Sequence, residues 1–120
     1  MKITNFFISE PSNSREKRPG YKSPEFSISS KKLYLHTRQV LLERHQIKLI
    51  EENLNEGTMA FVERTKVFCF PDDIAIKIIS LNENSSTLMI CSKSRYGKYD
   101  FGVNRRRVHN ILNELTAPSE

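Results

Sequence analysis

The sequence predicts an α+β fold: a four-stranded antiparallel sheet with two helices packed on one face, in the order α-β-β-β-β-α. Three observations predict it. Apolar residues recur at helical spacing in two stretches, near 31–44 and 103–115. Between them lie four runs rich in β-branched, aliphatic and aromatic residues, parted by turn signals. The links between these runs are short, which favours antiparallel neighbours. Each helix carries one apolar face, which an open sheet face would cover.

In chain order, residues 1–29 read as an irregular basic arm. Pro11, Pro19, Gly20 and Pro24 punctuate it, serines fill it, and no helical or strand period appears. Tyr21, Phe26 and Ile28 are its candidates for packing. The domain proper is expected over 30–116, with a frayed end at 117–120. Ser30 suits the N-cap of the first helix, and Leu33, Thr37, Val40 and Leu41 share one of its faces, with Tyr34 at the edge. Residues 46–53 read as a strand, and Asn55-Glu56-Gly57 as a turn. Residues 58–70 read as a long strand that Pro71-Asp72-Asp73 breaks. Ile74, Ile76 and Ile78 alternate with polar or small residues in the next strand. A polar turn at 82–86 leads to the last strand, 87–94. In the final helix, Val108, Ile111, Leu112 and Leu115 form the apolar stripe. Asn104 falls on it one turn earlier, and Arg105 and Arg107 flank it.

The chain has 120 residues and a formal net charge of +5. A chain of that length buries roughly two-thirds of its unfolded surface. The charge is uneven: net +4 over 1–32, −2 over 33–92 and +3 over 93–120. A basic field of this kind suits an anionic partner, or simply solvates the ends. Cys69 and Cys91 lie in strand-like runs without metal spacing, so buried reduced thiols are expected, with a disulfide left open. No targeting segment and no run long enough for a bilayer is evident, so the expected location is the cytoplasm.

The segment 92–107 carries the most chemistry. It is basic, glycine-punctuated by Gly97 and Gly102, and leads from the last strand into the last helix. Arg105, Arg106 and Arg107 crowd a helix start, where the macrodipole disfavours each cation by about 0.3–1 kcal/mol unless an anion answers. Two answers are open. Asp72 and Asp73 would make an internal ion network that ties loop to sheet. Alternatively, helix N–H groups with Arg95, Asn104, Arg105 and Arg107 would hold an external phosphate or carboxylate. The internal answer is favoured, because structural ion pairs are commoner than sites. Asp100 would close a turn, pair with Arg95 or cap the helix, a role open to Asn104 as well.

Phe70-Pro71-Asp72-Asp73, the strand 74–78, Ser92-Lys93-Ser94-Arg95-Tyr96-Gly97 and Asp100-Phe101-Gly102-Val103-Asn104-Arg105 together resemble the domain-of-unknown-function family fourteen-ninety-nine. The resemblance covers about residues 33–115. It implies that Asp72, Asp73, Ser92, Ser94, Arg95, Gly97, Asp100, Gly102 and Asn104 are signature positions. Cys91 stands where the family carries an arginine. Glu10-Pro11-Ser12-Asn13-Ser14 lacks the cysteines that many members carry near their start, so the resemblance does not extend to an envelope location. It brings no catalytic activity with it.

Other constellations are weaker. His36, His45 and His109 have no metal-binding spacing, and no metal or cofactor is expected. Glu51-Glu52 and Asp72-Asp73 alternate across a strand, so neither is a ready acid–base dyad. Ser92 and Ser94 share a strand face with no base in view. Tyr96, Tyr99 and Phe101 interleave with Lys93, Arg95 and Lys98, a mixture that suits single-stranded nucleic acid but more commonly covers a sheet end. The leading expectation is a binding or scaffold domain that recognises an anionic group on a small ligand or protein partner. A nucleic-acid-binding module and an enzyme are the alternatives.

Overall fold

A computed structural model describes residues 6–11, 20–66, 68–96 and 102–117. Its elements run β1 (Phe6–Pro11), β2 (Gly20–Ser23), α1 (Ser30–Leu42), β3 (Ile47–Asn53), β4 (Thr58–Arg64), β5 (Pro71–Asn82), β6 (Ser85–Ser94) and α2 (Val103–Thr116). The strands form one sheet in the order β2-β1-β6-β5-β4-β3. β1 and β2 run parallel, and every other neighbouring pair runs antiparallel.

The α+β class and the presence of two helices are as the sequence predicts, but the order is β-β-α-β-β-β-β-α, not α-β-β-β-β-α. Nor is the sheet four-stranded and antiparallel: it has six strands and is mixed. Both extra strands come from the arm expected to be irregular. β1 lays residues 6–9 along residues 90–93 of β6, and β2 pairs outside it. These strands are short, and β1 opens with three consecutive apolar residues (Phe6, Phe7, Ile8), so no alternation marks them. Main-chain bonding to an open edge decides their conformation instead. Behind them, Phe26 pairs with Ser86, and the Thr87 hydroxyl donates to the Pro24 carbonyl at 2.8 Å.

Two further expectations change. Pro71-Asp72-Asp73 opens β5 instead of breaking the chain. Proline tolerates a first strand position, and the inward carboxylate of Asp72 is answered by a cation described below. The strand expected over 58–70 stops at Arg64, residues 65–66 and 68–70 are not strand, and Cys69 takes φ 57°. Cys69 is therefore exposed and Cys91 half-buried, neither fully buried as expected, and no disulfide joins them. The first helix is capped by Ser29, one residue before the expected Ser30, and its side chain accepts from the Lys32 N–H.

One apolar cluster joins both helices to a single sheet face. Leu33, Tyr34 and Leu41 of α1 and Val108, Ile111, Leu112 and Leu115 of α2 meet Met59, Phe61, Ile74, Ile76, Ile78, Leu88 and Ile90. Phe26 and Ile28 pack at its margin. The strand period of two delivers these side chains. Phe61, Ile74 and Ser92 form one cross-strand row, and Met59, Ile76 and Ile90 the next. Gly57, at φ 73°, closes the β3–β4 turn against β5, where a Cβ would stand 2.8 Å from the Ile78 carbonyl oxygen.

Candidate functional site

The next inward row on this face is not apolar. It consists of Glu63, Asp72 and Ser94, paired across β4, β5 and β6. Two carboxylates directly opposed on one face repel each other. Helix α2 resolves the conflict. Asn104 and Arg107 lie three residues apart on one helix face, a turn before Val108 and Ile111, and both reach down onto this row.

The Arg107 guanidinium stands between the carboxylates. Its Nε donates to Glu63 Oε1 at 2.6 Å, and its Nη2 lies 2.7 Å from Asp72 Oδ2. Its Nη1 donates to Asn104 Oδ1 at 2.9 Å and to Ser92 Oγ at 3.1 Å. Asn104 uses its other end as well, donating from Nδ2 to Ser94 Oγ at 2.9 Å, while Ser92 Oγ donates to Asn104 Oδ1 at 2.7 Å. A second cation closes the set from the end of α1: Arg44 donates to both oxygens of Glu63, at 2.6 and 3.2 Å, and reaches Glu114 at 3.1 Å.

The network is dry. The side chains of Arg107 and Asp72 are 4% and 3% exposed, and Asn104 and Ser92 are fully buried. Two cations face two buried carboxylates, so the charges balance without solvent. Burial opposes ionisation of Glu63, but hydrogen bonds from Arg44 and Arg107 outweigh it and hold the carboxyl below its usual range. Burial likewise disfavours the charge on Arg44, and its bond to Glu63 more than restores it. The carboxylates sit beneath the N-terminal half of α2, where they also complement its dipole.

The other site candidates divide. Asp73 points to the opposite sheet face, where Arg95 grips it in two bonds of 2.6 and 3.2 Å. Both members of that pair are nearly half exposed. The hydrogen bond to Asp73 raises the affinity of Arg95 for its proton. Arg105 is exposed, with its guanidinium carbon 5.9 Å from the centroid of the Phe7 ring. Gly102 caps α2 in the left-handed region at φ 80°, and among the described residues no side chain, Asn104 included, caps this helix. Gly97 and Asp100 lie outside the described residues, so Asp100 as cap or partner is not placed.

Sequence reasoning missed Glu63 and Arg44. Glu63 did leave a signal. It continues the inward alternation of Met59 and Phe61, so a carboxylate falls on the apolar face and needs a cation. Arg44 leaves none, because it follows the last turn of α1 and is brought in by tertiary packing alone.

Asp72, Ser92, Ser94 and Asn104 are thus one cluster, joined by Arg107, and Gly102 starts the helix that carries it. The sequence model for proteins of unknown function (DUF1499) matches residues 4–115. The chain belongs to that family. Among curated proteins none matches it. The DUF1499 match begins at residue 4, which brings β1 and β2 into the family's span along with the helices and the remaining strands.

Among the described residues of this DUF1499 domain, no group of three histidine, cysteine or carboxylate side chains is placed to hold a metal ion. No described helix is long and apolar enough to cross a membrane. The serine hydroxyls of the cluster are engaged by Asn104 and Arg107. What the arrangement does chemically is hold a guanidinium between two carboxylates, and thereby hold α2 on the sheet.

Proposed function

We propose that this DUF1499 chain is a small binding domain. Its inner signature residues lock the last helix to the sheet, and its outer arginine, Arg95, recognises an anionic group on a ligand or protein partner. One contrast carries the reading. Arg107 spends its donors on Glu63, Asn104 and Ser92 and pairs with Asp72 in a dry interior, whereas Arg95 meets, among the described residues, a half-exposed carboxylate at the surface. A surface pair of that kind contributes about 0–1 kcal/mol, so an incoming phosphate or carboxylate displaces Asp73 at little cost. Arg105, on the first turn of α2, lies on the outer side of the same helix that carries the lock.

The test is a thermal melt with inorganic phosphate. Phosphate is expected to raise the melting temperature of the native chain saturably, and more strongly in Asp73→Asn, which removes the competing carboxylate. It should leave Arg95→Gln unmoved. A flat response in both the native chain and Asp73→Asn ends the anion reading. Separately, Arg107→Gln should lose about 3–5 kcal/mol, the cost of leaving buried carboxylates unanswered. A loss under about 1 kcal/mol would remove the lock.

A further inference from the structure

We infer that Phe68 and Phe70, between β4 and β5, form an interfacial tip that docks this domain onto an anionic lipid surface. Phe68 and Phe70 are 72% and 56% exposed, yet they are not loose. Their rings stack on each other at 5.5 Å between centroids, inclined by 16°. Local bonds hold the residues that carry them. Cys69 N–H donates to the Thr65 carbonyl, Thr65 N–H to the Phe70 carbonyl and Phe70 N–H to the Thr65 hydroxyl, each at 3.0 Å. Arg64 clamps the Cys69 carbonyl at 2.9 Å. Two aromatic rings held in water gain nothing from their exposure within the fold. Single exposed apolar residues are ordinary, but a stacked pair held by such bonds marks a contact surface.

The surroundings choose the occupant. Arg64 lies beside Pro71, whose carbonyl accepts from the Arg95 N–H, and Lys93 pairs with Asp73 in the next row. Lys66 stands between β4 and β5, and Tyr96, 69% exposed, follows Arg95 at the adjoining strand end. Aromatic rings thus project at a sheet end collared by Arg64, Lys66, Lys93 and Arg95. Among the described residues there, the exposed carboxylate of Asp73 is held by Arg95. Apolar side chains that partition into the headgroup boundary, ringed by cations that meet anionic lipid, are the two components of reversible interfacial binding. A single-stranded nucleic acid fits less well, because base stacking needs open ring faces and Phe68 and Phe70 each cover one face of the other.

The inference counts Arg95 among the collar cations but does not require it to bind free phosphate, and its test leaves Arg95 intact. The full chain is sedimented at low salt with vesicles of phosphatidylcholine alone and of phosphatidylcholine mixed with phosphatidylserine. Binding to the mixed vesicles is expected, weaker on phosphatidylcholine alone and falling as salt is added. Phe68→Ser with Phe70→Ser should weaken it about tenfold or more, and Lys66→Glu should weaken it further, with the melting temperature and the phosphate response unchanged. Absence of binding to the mixed vesicles at low salt overturns the inference. So does equal binding by the double-serine variant. Binding of a polyuridine strand that the double-serine change abolishes, with vesicles left unbound, would assign the tip to nucleic acid instead.

Discussion

Glu63 is the residue on which the interior charges turn. It receives Arg107 on one oxygen and Arg44 on both. Its folded carboxyl is held below the ordinary value of 4.5 by those bonds, against the opposing effect of burial. The linkage sign follows. A carboxyl depressed on folding contributes stability that is fully present above its unfolded value and is lost as pH falls through the folded one. The native chain should therefore keep its stability down to about pH 4.5 and lose it steeply below. Glu63→Gln should be less stable at neutral pH and should show a shallower acid limb. Denaturant midpoints measured across pH 2–7 check this, and parallel acid limbs for the two proteins would mean that Glu63 does not carry the effect. At this scale the sequence was half legible. The need of the α2 arginines for an internal anion was readable, and Asp72 was readable as one supplier. Which arginine faces inward was not. A helical wheel places Arg105 and Arg107 on opposite flanks of the stripe, and only the tilt of α2 on the sheet decides that Arg107 goes down and Arg105 stays out.

Helix α1 shows how an element is fixed by packing more than by its own chemistry. Its first turn holds no acidic residue and its last turn no basic one, so it draws little from its dipole. Ser29 supplies the cap, and the buried face of Leu33, Tyr34, Thr37 and Leu41 supplies the hold. Tyr34 is anchored at its rim. Its hydroxyl donates to Glu52 at 3.0 Å and to the Thr58 carbonyl at 3.2 Å, and burial together with Glu52 pushes its pKa up to about 12. Thr37 lacks such an anchor: its hydroxyl is buried and has no hydrogen-bond partner among the described residues. An unanswered buried hydroxyl costs about 1–3 kcal/mol. Thr37→Val keeps the shape and removes the hydroxyl, so it should stabilise the domain by about 1 kcal/mol, read as a higher melting temperature. A fall instead would place an unseen partner on that oxygen. The apolar face itself was legible, since helical period alone selects 33, 37 and 41. Of the sheet strands, β5 was legible by its period of two, and β3, β4 and β6 by their runs of β-branched, aliphatic and aromatic residues. The ends of β4 and β5 were not, because a proline and two aspartates read as a turn until the cation that satisfies Asp72 is known.

The whole molecule depends on an edge that the sequence conceals. Without β1, strand β6 would be the outer strand of a four-stranded sheet along residues 90–93, and its main-chain groups there would have no neighbour. β1 covers that edge and brings side chains to both faces. Ile8 is 7% exposed on one face, and Ser9, on the other, bonds the Ser23 hydroxyl of β2 at 2.6 Å. Phe7 lies beside Ser92 in the register and carries the Arg105 guanidinium against its ring. The edge strand therefore supports the start of α2 as well as the sheet. Burying one large aliphatic or aromatic side chain contributes about 1.5–3 kcal/mol, so deleting residues 1–11 should lower stability by about 3 kcal/mol or more. It should also open β6 to pairing with a second copy, seen as a larger species in size-exclusion chromatography that grows with concentration. A monomer with an unchanged melting temperature would show that the edge needs no cover and that the lock beneath α2 stands without β1. The same deletion ranks the two restraints on α2. If Arg107→Gln and the deletion each lower stability, and together lower it by less than the sum, they act on one docked helix from its two sides.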